Sequence, residues 1–259
     1  MLRMSRIPAA RPLVTFLAAC GLSAHVLAQP ASPPLSEGNA GPPQVSSTPP
    51  GGGLGAARPS GPSEAERLVF TEPHLANIDA PRTLRYRYVR EGGGAARVED
   101  DVTMTFTRAP DGRCCSVHGE YLTGANAVAL PDVESARSNP VVLFFLEQQV
   151  RELNRRTGGS TNHFRQRIRL ALANAATLSP TTVQWEGRAL PARTVRIAPF
   201  TDDPHRARFE RDAPTEYSFV LADAVPGGVW QLRAALPGDG AAAQTLTFRD
   251  AVERPATRR

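Results

Sequence analysis

The chain has 259 residues with 30 arginines, no lysine and 25 acidic residues, which gives a formal net charge of +5. Three of the arginines stand in the first 28 residues, which contain no acid, so the rest of the chain carries about +2. This excludes a strong basic field of the kind that gathers nucleic acid, and the lack of lysine excludes a Gly-x-x-x-x-Gly-Lys-Ser/Thr phosphate loop.

Residues 1–28 have the layout of a secretory signal peptide. Arginines precede a mostly apolar run over 12–27, and small residues ending at Ala28 predict cleavage before Gln29. The run is too short and interrupted to span a bilayer, which needs roughly 20 apolar residues. In the alternative, Leu17-Ala18-Ala19-Cys20 resembles a bacterial lipobox in which Cys20 is lipidated. We therefore expect export to the periplasm of a Gram-negative cell, with peripheral membrane association only if Cys20 carries a lipid.

Composition divides the remainder into three parts. Residues 29–62 are dominated by Pro, Gly and Ser and cannot bury enough apolar surface to offset chain entropy, so they predict a disordered linker. Residues 63–252 have a globular composition that suits one domain with its own core. Residues 253–259 form a polar tail that we expect to be flexible.

The first half of the globular part predicts strands. Leu84, Tyr86 and Tyr88 alternate with arginines, and Val102, Met104 and Phe106 alternate with threonines, as on half-buried strands. Gly and Pro clusters predict the turns between them. The expected elements are a strand over 84–89, a break at 92–94, a strand over 102–107, a turn at 109–112, a strand over 114–121 and a loop over 125–138.

Two helices follow. Asn139 predicts the cap of the first, with Pro140 at its first position, and Gly158-Gly159 predicts its end. Ser160 or Thr161 begins the second. Apolar residues recur at helical spacing along both. The predicted buried stripes are Val142, Leu146, Val150 and Leu153 on the first helix, and Phe164, Ile168, Leu172 and Ala175 on the second.

After Pro180 the pattern returns to strands. A hairpin is expected over 182–197 with its turn at Glu186-Gly187-Arg188, then a polar loop over 200–212. Further strands are expected over 217–221, 229–236 and 244–248, with a turn at Val225-Pro226-Gly227-Gly228. The order of the elements is strands, then a helical pair, then strands again. This order predicts an α+β fold in which an antiparallel sheet carries the helices on one face.

The last part of the chain resembles a known family. The Val225-Pro226-Gly227-Gly228-Val229 turn between two strands, after a hairpin around Trp185-Glu186-Gly187, is similar to the closing strands of periplasmic half-barrel proteins of the LolA/LolB type and related exported domains. The resemblance implies a curved, half-barrel-like sheet wrapped around the helices. It also implies an apolar cleft that binds a lipid or another apolar ligand without catalysis. No functional residue is carried over by motif.

Aromatic residues are the candidates for the lining of such a cleft, although core packing explains each of them equally well. The predicted ligand contacts are Tyr86, Tyr88, Phe144, Phe145, Trp185 and Trp230. An envelope protein is the other partner that we consider. No cofactor and no metal are expected.

Cys114 and Cys115 are the most unusual local feature. Three arrangements are compatible with the sequence: one cysteine packs as a small apolar residue with the other half-exposed, the two form a vicinal disulfide, or one bridges to another chain. Cys114, Ser116 and His118, with Glu120 next along the same strand face, offer too few soft ligands for a closed metal site. The alternatives for the cysteines stay open at this stage.

Catalysis has little support in the sequence. There is no Gly-x-Ser-x-Gly elbow, and the histidines are scattered. The segment Thr201-Asp202-Asp203-Pro204-His205 fits a plain turn better than a calcium or proton-transfer site. An envelope hydrolase with a dispersed His/Asp site is the alternative to a binding protein, because the members of a catalytic triad are distant in sequence.

Overall fold

The computed structural model describes residues 61–109, 112 and 114–253. These lie within one unit of the chain, Ala56–Arg259. The predicted signal peptide, Cys20 and almost all of the predicted linker lie outside the described residues. None of the helices in the described part is both long and apolar enough to cross a membrane.

Eight strands form one antiparallel sheet. Their order across the sheet is β3-β2-β1-β8-β7-β6-β5-β4, and the two edge strands β3 and β4 do not pair with each other. The sheet is therefore open. The strands are β1 (Arg82–Glu91), β2 (Val98–Arg108), β3 (Cys114–Tyr121), β4 (Thr177–Trp185), β5 (Arg188–Ile197), β6 (Glu216–Leu221), β7 (Val229–Ala235) and β8 (Ala243–Glu253).

The predicted strands are all present, and most are longer than expected. The largest difference is β4, which begins at Thr177 and includes Pro180, the residue after which the prediction began its hairpin. Proline lacks the N–H that a central strand needs, but β4 is an edge strand and needs only one row of partners. Pro191 lies in the part of β5 that has no β6 neighbour, since the β5–β6 pairing starts at Arg193.

Contacts across the sheet show how strongly it curves. The ring of Trp185, at the end of β4, lies 4.9 Å from the ring of Phe248 on β8, centroid to centroid. Three strands separate β4 from β8 in the sheet order. The tip of the β4–β5 hairpin therefore bends over the same face that Phe248 occupies, as in a half-barrel.

Two helices pack on this face. Helix α2 (Val141–Thr157) contacts β7, and helix α3 (Thr161–Asn174) contacts β5, while α2 and α3 pack on each other. The predicted α+β class and the curved antiparallel sheet with a helical pair on one face are confirmed. A short additional helix, α1 (Glu64–Glu66), continues as a π-helical turn over Arg67–Thr71 and also contacts α3.

The helix ends follow their capping residues. Helix α2 begins at Val141, one residue later than expected, and the Asn139 side-chain oxygen accepts the Val141 N–H at 3.2 Å. It ends at Gly158 in the left-handed conformation, with φ 68°. Ser160 caps α3 as predicted. All members of both predicted stripes are buried except Ala175, which lies past the last residue of α3 and is exposed.

The sheet has one apolar and one polar face. Leu84, Tyr86 and Tyr88 on β1 are buried beneath the helices, while the intervening Arg85 and Arg87 pair with Asp250 and Glu99 on the other face. This is the one-sided burial that antiparallel sheets allow.

The segment after β5 differs from its prediction as a polar loop. Phe200 and Phe209 are buried, and both rings stand edge-to-face with Phe164 of α3 at 5.7 Å. The side chain of Asp203 is buried as well. Two aromatic residues nine positions apart without strand or helix periodicity do not show in a search for periodic elements, which is why sequence analysis missed them.

Candidate functional site

A groove of about 480 Å³ lies between α2, the tip of the β1–β2 hairpin and the loop that follows β3. Its volume lies within the roughly 300–1,000 Å³ of small-molecule sites. Thirteen residues line it: Tyr88, Arg90, Val98, Leu122, Ala125, Asn126, Ala127, Val128, Ala129, Gln148, Arg151, Glu152 and Arg155.

Regular secondary structure aligns one side of the groove. Tyr88 and Arg90 are two residues apart on β1 and therefore point to the same face. On α2, residues at spacings of three and four share one side, which brings Gln148, Arg151 and Arg155 into one row. The groove thus has a wall of guanidinium groups on the helix and the strand.

The opposite wall is a loop rich in methyl groups. It starts at Leu122, whose φ is 63°, passes through a 3-10 turn over Gly124–Asn126 and is tied back to β3 where the Val128 N–H donates to the Tyr121 carbonyl. Its lining residues are Leu122, three alanines, Val128 and Asn126, and none of them is charged. The two walls therefore differ sharply in chemistry.

A buried carboxylate lies at the base of the groove. The Glu152 side chain is only 7% exposed, and the Gln244 amide donates to it. Three guanidinium groups lie within 4 Å of it: Arg155 at 3.3 Å, and Arg90 and Arg156 at 3.8 Å each. A buried carboxylate is stable only with such partners.

The Gln244 side chain ties β8 to β1 and to α2 beneath this carboxylate. Its amide oxygen accepts hydrogen bonds from the Gln149 amide at 2.7 Å and from the Tyr88 hydroxyl at 2.9 Å. These hydrogen bonds join three elements and hold the base of the groove in one arrangement.

Two tyrosines at this end of the sheet have perturbed acidities. Burial and the negative charge of Glu152 raise the pKa of Tyr88 to about 12, so its hydroxyl is neutral and donates to Gln244. The neighbouring Tyr121 ring stands edge-on to Tyr88 at 6.5 Å. Burial raises the pKa of Tyr121 well above its ordinary value, and its hydroxyl has no hydrogen-bond partner among the described residues.

Only one of the six predicted ligand contacts lines the groove. That residue is Tyr88. Tyr86, Phe144 and Phe145 are buried in the core, while Trp185 and Trp230 are half-buried against Phe248. Their role as ligand contacts stays a prediction. Sequence analysis missed the arginines of the groove, although the row of polar residues at helical spacing on α2 was a visible signal.

Cys114 and Cys115 lie at the far end of β3 from the groove. A disulfide joins them, the peptide between them is cis, and Cys115 is fully buried while Cys114 is half-buried. Further along the strand, His118 bonds to Asp132 at 2.7 Å and Glu120 bonds to Thr103 at 2.9 Å. Within the described ranges, no three His, Cys, Asp or Glu side chains converge as a metal site would require.

The segment predicted as an Asp-Asp-Pro turn contains the other His/Asp contact. Asp203 accepts from His163 at 2.7 Å and from the His205 backbone N–H at 2.8 Å, and it lies 3.3 Å from the Arg167 guanidinium. The contact ties α3 to the turn. No hydroxyl or thiol of a described residue hydrogen-bonds to the His163 ring.

Comparison with known proteins gives distant likenesses only. No family model and no curated protein matches the chain. Among solved structures, the lipoprotein LppX of Mycobacterium tuberculosis is 13% identical, with 68% of this chain and 89% of that chain covered and a TM-score of 0.30. A LolA-superfamily protein of Nitrosomonas europaea is 5% identical, with 72% and 92% covered and a TM-score of 0.21.

A LolA-superfamily protein is thus among these remote likenesses, in line with the expected resemblance to the LolA/LolB type. Likenesses at these TM-scores are too distant to establish a shared ligand. The description of the fold rests on the strand order and the packing of this chain itself.

Proposed function

We propose that this protein is a non-enzymatic domain of the bacterial envelope that binds an apolar, lipid-like ligand. The observation that carries the proposal is the groove of about 480 Å³, because one of its walls is built from a leucine, a valine, three alanines and one uncharged asparagine. Side chains of this kind favour burial of an alkyl chain, which gains about 0.8 kcal/mol per buried CH₂ group. The signal-like residues 1–28 support export.

Ligand binding is tested by native mass spectrometry of the full-length protein recovered from the envelope. We expect a discrete extra mass that leaves on denaturation, and a displacement assay with a fluorescent fatty acid then reports the affinity of the emptied protein. Absence of both the extra mass and the displacement contradicts the proposal and favours a module that binds a protein partner.

A variant that fills the groove tests whether the ligand binds there. Ala127→Trp puts a bulky ring on the loop wall and is expected to abolish displacement, while Ala189→Trp, at an exposed position of β5 outside the groove, is the matched control. Equal binding by both variants would place the ligand elsewhere.

The same mass measurement tests localisation. A chain that starts at Gln29 supports a periplasmic protein, whereas a chain that starts at a lipid-modified Cys20 supports the anchored alternative.

A further inference from the structure

The groove carries more positive charge than its carboxylate neutralises. Arg90, Arg151 and Arg155 line it together with one acid, Glu152, so the charged groups of the lining have a net charge of +2. The chain outside residues 1–28 has about the same net charge in total. The lining of the groove is therefore a local patch of positive charge on a chain whose overall net charge is small.

The three guanidinium groups have N–H donors that are not used in the hydrogen bonds of the described residues. The side chains of Arg90, Arg151 and Arg155 are 44%, 52% and 72% exposed. Arg155 donates one hydrogen bond to Glu152, and Arg151 donates one, at 3.4 Å, to Glu147 on the same helix. Each guanidinium has five N–H donors in a planar fork that matches the oxygens of a carboxylate or phosphate.

The internal carboxylate does not use these donors up. Glu152 is buried below the groove, where the Gln244 amide and the Arg156 guanidinium also contact it. Arg156 is in turn held by Asp212 at 2.7 Å. Glu152 therefore fixes the position of Arg155 and Arg90 from one side, and the remaining N–H groups are left to a second anion.

The geometry points to an anionic amphiphile as the ligand, that is, an alkyl chain that carries a carboxylate or phosphate group; this inference rests on the proposed function. The oxyanion binds Arg151, Arg155 and Arg90, and the alkyl chain lies on the uncharged wall from Leu122 to Ala129. Hydrogen bonds between charged groups are stronger than neutral ones.

Binding to the full-length protein is measured by calorimetry below the micelle-forming concentrations of the probes. Laurate and lysophosphatidylglycerol are the anionic probes and distinguish a fatty acid from a phospholipid source. Lysophosphatidylcholine and dodecanol carry similar chains without net negative charge, and inorganic phosphate carries the anion without a chain. We expect at least one anionic amphiphile to bind roughly tenfold more tightly than the zwitterionic and neutral probes, and inorganic phosphate to bind more weakly than that amphiphile.

The double variant Arg151→Gln, Arg155→Gln is expected to weaken binding of the anionic probe by roughly tenfold and to leave dodecanol within about twofold. The matched control Arg169→Gln, Arg233→Gln removes the same charge from exposed positions outside the groove and is expected to bind as the parent does. Glu152→Gln removes the internal anion and is expected to tighten binding of the anionic probe. Circular dichroism verifies that each variant is folded.

Equal affinity for charged and uncharged amphiphiles overturns this inference and leaves the proposed function standing. An unchanged affinity in the Arg151/Arg155 variant, or equal weakening in its control, overturns it as well. Inorganic phosphate that binds as tightly as the amphiphile also overturns it, because the uncharged wall would then contribute nothing. Failure of every amphiphile to bind overturns both the inference and the proposed function.

Discussion

Asn139 should be one of the most sensitive polar positions of the protein. It is 2% exposed and precedes α2. Its side-chain amide donates to the Tyr86 hydroxyl at 2.8 Å and to the Gly227 carbonyl at 2.9 Å, while its oxygen accepts the Val141 N–H at 3.2 Å. One side chain therefore joins the start of α2, strand β1 and the turn between β6 and β7.

The substitution Asn139→Ala removes the partner of three buried groups at once. Each buried polar group left without a partner costs about 1–3 kcal/mol. Water that enters the space left by the amide recovers part of this, so we expect a loss of about 3–5 kcal/mol in the free energy of unfolding. Such a loss is a large part of the roughly 5–15 kcal/mol that stabilises an ordinary domain.

Urea unfolding followed by tryptophan fluorescence measures this loss. The matched control is Asn174→Ala, since Asn174 is exposed at the end of α3 and, among the described residues, its amide donates only to the Leu170 carbonyl of the same helix. The control should stay within about 0.5 kcal/mol of the parent. A cost below about 1 kcal/mol for Asn139→Ala, or equal costs for the two variants, would refute the reasoning.

Three further predictions concern stability. Gly227→Ala should lower the free energy of unfolding, measured in urea, by more than Gly187→Ala does. Both glycines have positive φ, but only at Gly227 would a Cβ overlap the side chains of Leu84 and Asn139. Equal losses in the two variants would contradict this prediction. Burial lowers the pKa of His74 below its ordinary 6.5, so its contribution to stability is present above pH 6.5 and is lost as the pH falls below that value. His74→Gln should remove that part of the pH dependence of unfolding, and an unchanged dependence would contradict the prediction. Tyr88→Phe should lower the Tm because the hydrogen bond to Gln244 is lost. Tyr121→Phe should leave the Tm unchanged or raise it, because the deleted hydroxyl has no hydrogen-bond partner among the described residues. The reverse order of Tm values would show that the Tyr121 hydroxyl is hydrogen-bonded in solution.

The amino-acid sequence by itself determined the local elements. Alternation on β1 and β2, the glycine-containing turns within the described residues and the apolar stripes of α2 and α3, apart from Ala175, gave correct predictions, because each depends on residues within a few positions of one another. The order of strands, helices and strands also sufficed for the α+β class. The Ser63–Glu66 capping box was readable in the same way and would have predicted α1.

The composition of the groove was decided by tertiary structure alone. Arg90, Leu122 and Arg151 come from a strand, a loop and a helix, and they line one cavity only because β1 lies beside β8 and α2 crosses the sheet above them. Nor does the sequence distinguish Glu152, a buried carboxylate, from Glu147, which is bonded near the surface of the same helix. Pairings between distant segments leave no periodic pattern in the chain, and burial depends on which elements meet. The local elements can therefore be predicted from the sequence, whereas the chemistry of the site depends on how those elements pack.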